Sequence, residues 1–558
     1  MELPTLAAGV SIIPLGGVEE IGMNMTVLET DDSLIVIDSG LMFPEEGMPG
    51  VDFVIPDYSY ILDNRDKLKG IIITHGHEDH TGALPFLLRD LDPDVPVYGT
   101  LLTIGLIKDK LKEYNVKNLL FIIIKPRDRI TLGDFTIEFI RVAHSIADGV
   151  GLAIETPYGT IVHTGDFKFD SSPVDGEFLD ISRFAQYGER GVLLLMSDST
   201  NAERGGFTPS EKVVRAAFED VFAKAAGRII IATFASNIHR IQQVVDVAVE
   251  FGKKVVLCGR SIESNVRIAM DLGYLKIPAE TCLKVEDIKN LKPEETVIVT
   301  TGSQGEPMSV LTRIARNEHK QIKIKIGDTV IISAKAIPGN GRAVGKIINQ
   351  LFKIGADVIY EKVADVHVSG HASVEELKLM INITKPKYFV PIHGEYRHLH
   401  RHAYIAGTLG IAVENIFMLS NGNVLEINQE AGFLADGVTA GRVYIEGKNL
   451  CDIGDMVLKE RRRLSQDGVV IVLISIAKED GTIVSGPDII TRGFVFESSS
   501  KEIMDEARSL IIETFAALDD SFEKNVINIS AKVKSKLRKF IRNKTEKRPI
   551  IMPVVVEV

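Results

Sequence analysis

An apolar run that ends in a cluster of histidines constrains the fold of this chain more than any other feature. The run Gly70–Thr74 is followed at once by four potential metal ligands, His75, His77, Asp79 and His80. A buried strand that leads directly into imidazoles and a carboxylate places rigid ligands at the edge of a sheet. Such nitrogen and oxygen ligands suit zinc and leave room for a reactive water molecule. The segment therefore predicts a metal site, in preference to a polar loop that is merely rich in histidine.

Further ligand-type residues stand at the ends of other predicted strands. His144 follows the extended run Phe135–Val142, and Asp166, His393 and Asp38 each follow or end another short apolar run. A single histidine of this kind is more often a structural residue than a ligand. The recurrence at strand ends, where loops from one rigid sheet converge, favours a shared site.

The motif His-x-His-x-Asp-His at residues 75–80 resembles that of the metallo-β-lactamase superfamily. The resemblance implies an α/β fold, the αββα sandwich, and two zinc ions with these ligands: His75, His77 and His144 for one ion, Asp79, His80 and His393 for the other, and Asp166 as a bridge between them. Asp38 would orient a ligand histidine and would not bind metal itself. Paired metals lower the pKa of a shared water to about 7 and neutralise charge in the transition state. Manganese or magnesium could replace zinc, because these ligand types accept several divalent ions.

An α/β segment separates His393 from the other ligands. From about residue 208 to 363, apolar runs alternate with helical stretches, and this alternation predicts a parallel sheet. An insert in this position resembles the β-CASP nucleases. That resemblance implies a catalytic pair, Asp198 and His371, beside the metals and the bridging Asp166. A histidine held by a carboxylate suits protonation of the leaving 3′ oxygen.

Several motifs narrow the resemblance to the ribonuclease J family of bacteria and archaea, and with the metal motifs they cover essentially the whole chain. The motifs are Ala232–Arg240, Thr301–Pro307, His367–Ala372, Pro391–Arg397 and Arg492–Phe494. The resemblance implies a hydrolase that degrades 5′-monophosphorylated RNA in the 5′→3′ direction and also cuts RNA internally, in rRNA processing and other RNA maturation and in mRNA decay. It also implies homodimers or homotetramers, with RNA-decay partners such as helicases.

The same resemblance implies a pocket for the 5′-terminal phosphate. Its substrate-binding residues would be Phe234, Ala235, Ser236, Asn237, His367, Val368, Ser369, Gly370 and His371. Small residues let backbone N–H groups approach an anion, while hydroxyl and imidazole groups add directed donors. A fixed distance from this pocket to the zinc ions would meter cleavage one nucleotide at a time. Phe234 either stacks on a base or packs in the core, and both alternatives stay open. The resemblance assigns no functional role to His163 or His239, so both are expected to be structural.

We expect three domains and a linker, with these bounds: 1–207 and 365–428 for the metallo-β-lactamase core, 208–364 for the β-CASP domain, 429–450 for the linker, and 451–558 for a small C-terminal α/β domain. The family resemblance assigns oligomerisation to the last domain, and its basic segment, described next, is a candidate RNA contact. The family can also carry an additional structural cation, which we place near Val51 and Glu446.

A basic segment lies near the C-terminus, in contrast to the formal net charge of −12 for the 558-residue chain. Its cations are Lys532, Lys534, Lys536, Arg538, Lys539, Arg542, Lys544, Lys547 and Arg548. Apolar residues run from Val526 to Phe540 at three- and four-residue spacing, which predicts an amphipathic helix. The basic face either contacts the RNA backbone or is simply solvated. The triplet Arg461–Arg463 leaves the same two alternatives.

Composition narrows the remaining functions. The three cysteines, Cys258, Cys282 and Cys451, stand at no metal-ligand spacing, which argues against disulfides and fits a reducing cytoplasm. No export signal and no apolar run of membrane-spanning length are apparent. A small-molecule hydrolase is opposed by the insert and its pocket motifs. A DNA-directed β-CASP nuclease stays open, and a non-catalytic RNA-binding subunit is opposed by the complete ligand set.

Overall fold

A computed structural model describes residues 9–45, 47–304, 309–336, 340–447, 449–450, 455–479, 482–494, 501–517 and 526–558. Cys451 and residues 305–307 of the motif that ends at Pro307 lie outside this described part. The chain divides into two compact units, Met1–Phe43 with Asp52–Leu450 and Pro44–Val51 with Cys451–Val558. Within the described residues, no helix has both the length and the apolar character that a membrane crossing requires.

The strands are numbered in chain order. They are β1 (Val10–Gly16), β2 (Val18–Glu19), β3 (Met25–Glu29), β4 (Leu34–Ile37), β5 (Phe53–Pro56), β6 (Leu68–Ile72), β7 (Val97–Gly99), β8 (Phe121–Ile123), β9 (Arg129–Leu132), β10 (Phe135–Arg141), β11 (Val150–Thr156), β12 (Gly159–His163), β13 (Val192–Asp198), β14 (Ile229–Ala232), β15 (Lys254–Cys258), β16 (Cys282–Leu283), β17 (Thr296–Thr300), β18 (Thr329–Ile332), β19 (Asp357–Ile359), β20 (Pro386–Ile392), β21 (Gly394–Glu395), β22 (Val424–Ile427), β23 (Gly432–Ala435), β24 (Arg442–Glu446), β25 (Asn449–Leu450), β26 (Val469–Ile476), β27 (Ile483–Arg492) and β28 (Ile550–Glu557).

The helices are numbered in the same way. They are α1 (Ser59–Asp63), α2 (Glu78–Thr81), α3 (Leu84–Asp90), α4 (Leu101–Tyr114), α5 (Ile181–Arg190), α6 (Lys212–Lys224), α7 (Ile238–Glu250), α8 (Arg260–Asp271), α9 (Val310–Ala315), α10 (Gly341–Ile354), α11 (Val374–Thr384), α12 (Tyr396–Thr408), α13 (Asp455–Asp467), α14 (Lys501–Ala516) and α15 (Val526–Thr545). Short 3-10 turns occupy Arg65–Lys67, Val285–Asn290, Pro293–Glu295 and Val413–Asn415.

Two sheets pack face to face in the first unit. Their strand orders are β23-β22-β1-β3-β4-β6-β7-β8 and β20-β13-β12-β11-β10-β9. Strand β4 is buried on both faces, because side chains alternate across a sheet. Ile35 and Ile37 join the core between the sheets, and Leu34 and Val36 join the core beneath α3 and α4. Helices α5, α11 and α12 cover the outer face of the second sheet through a further core. The predicted αββα sandwich is confirmed.

The segment between β13 and β20 forms the predicted parallel sheet. Its strand order is β16-β15-β17-β14-β18-β19, and every neighbouring pair runs parallel. Helices α6, α7 and α8 pack on one face through residues such as Phe218 and Ile241. Helices α9 and α10 pack on the other face through Ile314 and Leu351. Helices on both faces explain why these strands read as continuous apolar runs in the sequence.

The C-terminal unit is a three-stranded sheet covered by two helices. Central β26 pairs antiparallel with β27 and parallel with β28. Alternate β26 residues, Val470, Val472 and Ile474, are buried against α14 and α15. Helix α15 has the amphipathic pattern that the sequence predicts. Arg461 and Arg462 each donate to a backbone carbonyl of the 44–51 segment in the same unit.

Residues 429–450, the predicted linker, contain strands of the first unit. Strand β23 pairs with β22 at the edge of the eight-stranded sheet, and β24 pairs with β5. These strands are short and lack long apolar runs, so periodicity alone gives little sign of them. Segment 44–51, in contrast, clusters with the C-terminal unit.

Candidate metal centre

The predicted ligands converge because the strands that carry them end at one edge of the sandwich. Strands β4 and β6 run parallel, as do β12, β13 and β20. Strand β10 points the same way as β12, because both are antiparallel to β11. The carboxyl ends of these strands deliver Asp38, residues 75–80, His144, Asp166 and His393.

Four of these residues form a first cluster of ligand atoms. Nδ1 of His77 lies 3.0 Å from Nε2 of His75 and 3.1 Å from Nε2 of His144. Oδ2 of Asp166 lies 3.7 Å from Nε2 of His75 and 3.6 Å from Nε2 of His144. Three of the four side chains are buried, and His77 is half-buried.

A second cluster shares one atom with the first. Oδ2 of Asp166 lies 3.3 Å from Nε2 of His80 and 3.8 Å from Nε2 of His393. Oδ2 of Asp79 lies 3.5 Å and 3.1 Å, respectively, from the same two nitrogens. Asp166 is therefore placed to bridge two ions.

The two clusters fit divalent cations. A tetrahedral ion with bonds of 2.0–2.1 Å holds its ligand atoms about 3.3 Å apart. The four separations given above run from 3.0 to 3.7 Å in the first cluster and from 3.1 to 3.8 Å in the second, and all ligand atoms of each cluster lie within 4.8 Å of one another. Imidazole with carboxylate is a donor set that binds zinc and other divalent ions. The ligand atoms of each cluster are therefore spaced as the ligands of a bound divalent ion would be.

Hydrogen bonds fix the orientation of two histidines that follow β6, His75 and His80. Nδ1 of His80 lies 2.8 Å from Oδ2 of Asp38. The other carboxylate oxygen of Asp38 accepts the backbone N–H of Thr74 at 2.8 Å. Oγ1 of Thr74 in turn lies 3.1 Å from Nδ1 of His75. Asp38 adopts a positive φ of 62° at the end of β4, a strained conformation of the kind that clusters at functional sites.

The two remaining Nε2 ligands are held in the same manner. Gly370 O accepts from Nδ1 of His144 at 2.8 Å, and Oγ1 of Thr200 lies 2.6 Å from Nδ1 of His393. When Nδ1 carries the proton, Nε2 is left as the metal-binding atom. Thr200 and the Gly370 carbonyl were not predicted for this role, because a hydroxyl or a carbonyl of distant sequence position gives no motif.

Burial sets the electrostatics of the first cluster. It holds the pKa values of His75 and His144 well below the usual histidine value, and it lowers the pKa of His77 to about 4. These imidazoles are therefore neutral near neutral pH, the form that binds a cation. Burial alone would raise the pKa of Asp166, but His393, followed by His80, holds it well below its usual value.

Opposite shifts mark the second cluster. Burial alone would lower the pKa values of His80 and His393, yet Asp166 and the other nearby carboxylates raise both well above the usual value. Burial likewise would raise the pKa of Asp79, but His80, followed by His393, holds it well below its usual range. The carboxylates of this cluster therefore favour positive charge beside them, which the histidine protons or a bound cation would supply.

Asp198 and His371 form a hydrogen-bonded pair beside both clusters. Nδ1 of His371 lies 2.8 Å from Oδ2 of Asp198 and 3.9 Å from Oδ2 of Asp166. Burial alone would lower the pKa of His371, but Asp198, followed by Asp166, raises it. The ring stacks on His393 with 5.3 Å between centroids. A histidine held in this way is equipped to donate a proton.

The predicted pocket residues lie on two loops that one buried arginine joins. Asn237 caps α7 by accepting from the backbone N–H of Arg240. Arg240 is fully buried and donates to Glu211, to Ser333 and to the carbonyl of Val366. Val366 directly precedes His367, so the turn before α7 and the 366–371 loop share one anchor. This anchor was not singled out in the sequence.

Positive charge surrounds His367. Burial, followed by Arg240, Lys335, Arg204 and Lys168, lowers its pKa to about 3. Its Nδ1 is buried and has no hydrogen-bond partner among the described protein atoms. A buried imidazole with a spare nitrogen amid cations is suited to an anionic ligand.

The end of the 366–371 loop is tied to the chain that follows Asp198. Asn201 donates to Oγ of Ser369 at 2.8 Å and to the carbonyl of His371 at 2.9 Å. Thr208 also donates to that carbonyl, at 2.8 Å. The pocket loop and the Asp198 loop therefore hold one another in place.

The other predicted residues lie as follows. Val368 is buried in the core that Ala235 packs against, and Phe234 is half-buried. Nδ1 of His163 accepts the backbone N–H of Gly165, and Nε2 of His239 pairs with Asp175 at 3.1 Å. Val51 is buried, and Glu446 is exposed at the end of β24. No side-chain ligand cluster within the described residues includes Glu446.

Four family descriptions match successive parts of the chain. They are the metallo-beta-lactamase superfamily at residues 20–218, the ribonuclease J beta-CASP domain at 226–351, the Zn-dependent metallo-hydrolase RNA specificity domain at 355–416 and the ribonuclease J C-terminal domain at 456–558. The beta-CASP match contains strands β14 to β18 of the α/β insert, and the C-terminal match lies within the C-terminal unit.

Full-length relatives decide the family. Ribonuclease J2 of Bacillus subtilis is 43% identical over 98% of this chain and 99% of its own length. Ribonuclease J 1 of Streptococcus pyogenes is 42% identical over 98% and 97%, and ribonuclease J of Thermus thermophilus is 43% identical over 98% and 95%. The chain belongs to the ribonuclease J family. As a ribonuclease J family member it is a metal-dependent ribonuclease, a hydrolase, and this result is favoured over the DNA-directed and non-catalytic alternatives.

A solved structure of a protein of unknown function from Enterococcus faecalis is similar in fold. It covers 75% of this chain and 100% of its own, with a TM-score of 0.54 and 16% identity. At that identity the likeness concerns the fold alone.

Proposed function

We propose that this ribonuclease J family member uses two zinc ions, each held by one of the two clusters, to hydrolyse RNA phosphodiester bonds. The sharing of Asp166 Oδ2 between the clusters, next to the Asp198–His371 pair, carries the proposal. His75, His77 and His144 would hold one ion, and Asp79, His80 and His393 the other. When bound, paired zinc ions activate a water nucleophile and neutralise phosphate charge.

The protein groups divide the remaining tasks. Asp38, Thr74, Thr200 and the Gly370 carbonyl keep the ligand imidazoles in the metal-binding tautomer. His371 donates a proton to the leaving 3′ oxygen, since Asp198 accepts from its Nδ1 and leaves Nε2 to face the substrate. Burial alone would lower the pKa of His371, but Asp198 raises it, and this keeps His371 protonated as the general acid.

We infer that the loops at 234–237 and 367–371 form the 5′-monophosphate pocket. Ser236 and Asn237 precede the N-terminus of α7, where backbone N–H groups favour anions. Cations around His367 and its spare buried nitrogen support the same ligand. A phosphate held here would fix the first phosphodiester at the metals, which gives stepwise 5′→3′ degradation. RNA that bypasses the pocket would be cut internally.

One experiment tests these roles together. Full-length protein would be given the same RNA with a 5′-monophosphate, a 5′-triphosphate or a 5′-hydroxyl, and a DNA strand of the same sequence. We expect mononucleotides chiefly from the monophosphorylated RNA, and none from a His77→Ala variant. Internal fragments that form equally well whatever the 5′ group would contradict the proposed 5′-monophosphate pocket. Equal cleavage of the DNA strand would support the DNA-directed alternative.

Metal content distinguishes zinc from manganese or magnesium. The protein would be stripped with a chelator and reloaded with each ion separately. We expect two zinc ions per chain and recovery of cleavage with zinc. Recovery with manganese alone would keep the two sites but change the ion. An additional structural cation would appear as a third metal that persists in a His77→Ala variant.

We further propose a homodimer or homotetramer built through the C-terminal unit. The face of its sheet that points away from α14 and α15 exposes Leu473, Ile490, Met552, Val554 and Val556. A contiguous apolar face of this kind marks a protein interface. Sedimentation of a Leu473→Lys, Val554→Lys variant should show monomers.

The cellular setting is part of the proposal. Cys258 and Cys282 are free thiols, which fits a reducing cytoplasm. There the enzyme would act in rRNA processing, other RNA maturation and mRNA decay, with helicases as partners on structured transcripts. Co-purification from cells, with and without nuclease treatment, would separate direct helicase contacts from contacts bridged by RNA.

A further inference from the structure

Helix α15 has one face in the core of the C-terminal unit and a basic surface opposite it. Ile529, Val533, Leu537 and Ile541 are buried at four-residue spacing and pack into the core of that unit. The exposed side carries Lys534, Lys536, Arg538, Lys539 and Arg542, which we call the basic arc. At 3.6 residues per turn these five positions span about 200° around the helix, centred opposite the buried stripe.

The basic arc is one-signed. The helix contains seven lysines and arginines and no aspartate or glutamate, although the whole chain carries −12. Lys544, which lies near the buried stripe, pairs with Glu506 of α14 at 2.7 Å. Glu506 of α14 therefore pairs with Lys544, which is not part of the basic arc.

An ordinary solvated helix face does not account for this arrangement. Solvated faces mix both signs, because opposite charges four residues apart stabilise a helix. Here Lys534 and Arg538, and then Arg538 and Arg542, are like charges four residues apart, and each such pair is destabilising. The helix dipole favours cations in the last turn, at Arg542 and Lys544, but not at Lys534 and Lys536 in the middle.

A membrane surface does not fit either. Helices that lie on a bilayer insert their apolar face among the lipids. The apolar stripe of α15 is already buried, with Ile529 and Leu537 at 0% exposure. What the arc offers to a partner is charge alone, and a polyanion with regularly spaced phosphates is the partner that uses it.

We propose that the basic arc binds the sugar–phosphate backbone of the RNA substrate, independent of base sequence, as a second contact besides the metal centre. The inference rests on the ribonuclease activity of the chain and names a surface for RNA beyond the scissile bond. A long RNA has phosphates to spare for the arc. A tetranucleotide has only a few phosphates to offer.

The test compares two triple variants of the full-length protein with the same change in net charge. Lys534→Gln, Lys536→Gln, Lys539→Gln removes the centre of the arc, and Lys284→Gln, Lys289→Gln, Lys292→Gln removes exposed lysines of the α/β insert. Both would be made in a His77→Ala background, so that RNA stays intact. The readout is the Kd for a long unstructured RNA over a series of salt concentrations.

We expect the arc variant to bind RNA more weakly and with a smaller salt dependence. Each phosphate contact contributes about 0.7 to the slope of log K against log salt for single strands, so loss of three lowers the slope by about 2. At 0.1 M salt that change weakens Kd by up to roughly 100-fold. The control triple should keep the parental slope. Variants with arginine at positions 534, 536 and 539 should also keep it.

Three outcomes would overturn the proposal. The slope of the arc variant could equal that of the control triple. In the His77-containing enzyme, cleavage of a tetranucleotide could fall as much as cleavage of the long RNA, which would indicate a structural role. The unfolding temperature of the arc variant could drop, whereas relief of like-charge repulsion predicts no drop. Failure of the proposed function is distinct, because the unmodified enzyme would then not cleave RNA at all.

Discussion

The substitution Gly370→Ala tests whether the peptide after Ser369 positions a metal ligand. A Cβ on Gly370 would lie 2.6 Å from Nδ1 and Cε1 of His144 and 2.9 Å from the backbone nitrogen of Ser145. Ordinary van der Waals contact begins at 3.4 Å, so the ring or the loop must move by about 0.8 Å. The φ of Gly370 is not in the left-handed region, so backbone strain contributes nothing. The predicted effect is purely steric.

The size of the effect follows from the displacement. A misplacement of about 1 Å at a reacting site costs about 100-fold in rate. Disturbing the hydrogen bond that orients a ligand histidine costs about 10–100-fold in metal affinity. We therefore expect Gly370→Ala to lose one metal ion on mild chelation and to cleave RNA about 100-fold more slowly. Zinc content by mass spectrometry and kcat on saturating RNA are the measurements.

A second glycine provides the control. Gly345 lies inside α10, and a Cβ there would meet no atom within 4 Å. Gly345→Ala should leave metal content and kcat unchanged and raise stability by up to about 1 kcal/mol. If Gly370→Ala keeps full metal content and parental kcat, the contact with His144 does not position the ligand. If kcat falls while both ions stay bound, the loop acts through its neighbours and not through the metal.

Three further substitutions probe other parts of the same architecture. Asp38→Asn keeps a residue that tolerates the positive φ but removes the charge facing His80, and zinc affinity should fall about 10–100-fold in a competition titration. Arg240→Lys cannot make the forked contacts that join the two pocket loops, so the preference for 5′-monophosphate over 5′-hydroxyl RNA should shrink while internal cleavage persists. His239→Ala should leave kcat unchanged and lower stability by about 1 kcal/mol or less. Burial alone would raise the pKa of Asp175 but His239 lowers it, so that stability difference should be present near neutral pH and vanish as the pH falls through the folded-state pKa.

The residues of the two candidate metal clusters could be predicted because histidines and aspartates recur at the ends of several apolar runs. Parallel strands place their carboxyl ends at one edge of a sheet, so residues at these ends are expected to converge. The alternation of β14 to β19 with helices was equally readable, because strands covered on both faces leave apolar runs. Each of these features depends on residues that are close in the sequence, so the local sequence is enough to predict it.

The groups that orient the ligands were out of reach. Gly370 and His144 are 226 positions apart, and the accepting atom is a backbone carbonyl that every residue possesses. Thr200 and His393 are 193 positions apart, and threonine is too common to mark a site. Arg240 ends one of the family motifs, but the motif does not show what its side chain contacts, and only its complete burial reveals it as an anchor. Long-range pairing of ordinary groups leaves no periodicity and no motif.

The placement of the α/β insert explains why the two candidate metal clusters, the Asp198–His371 pair and the 366–371 loop lie at one edge. The insert leaves the sandwich after β13 and returns before β20, and these two strands are parallel neighbours. Asp198 ends the first, and His393 follows the second. The returning loop at 369–371 must therefore pass the same edge, where it contacts His144 and Asp198 together. Gly370 accepts from His144 and is bonded directly to Ser369, one of the proposed phosphate-binding residues. A shift of the proposed pocket would therefore also disturb the first candidate metal cluster.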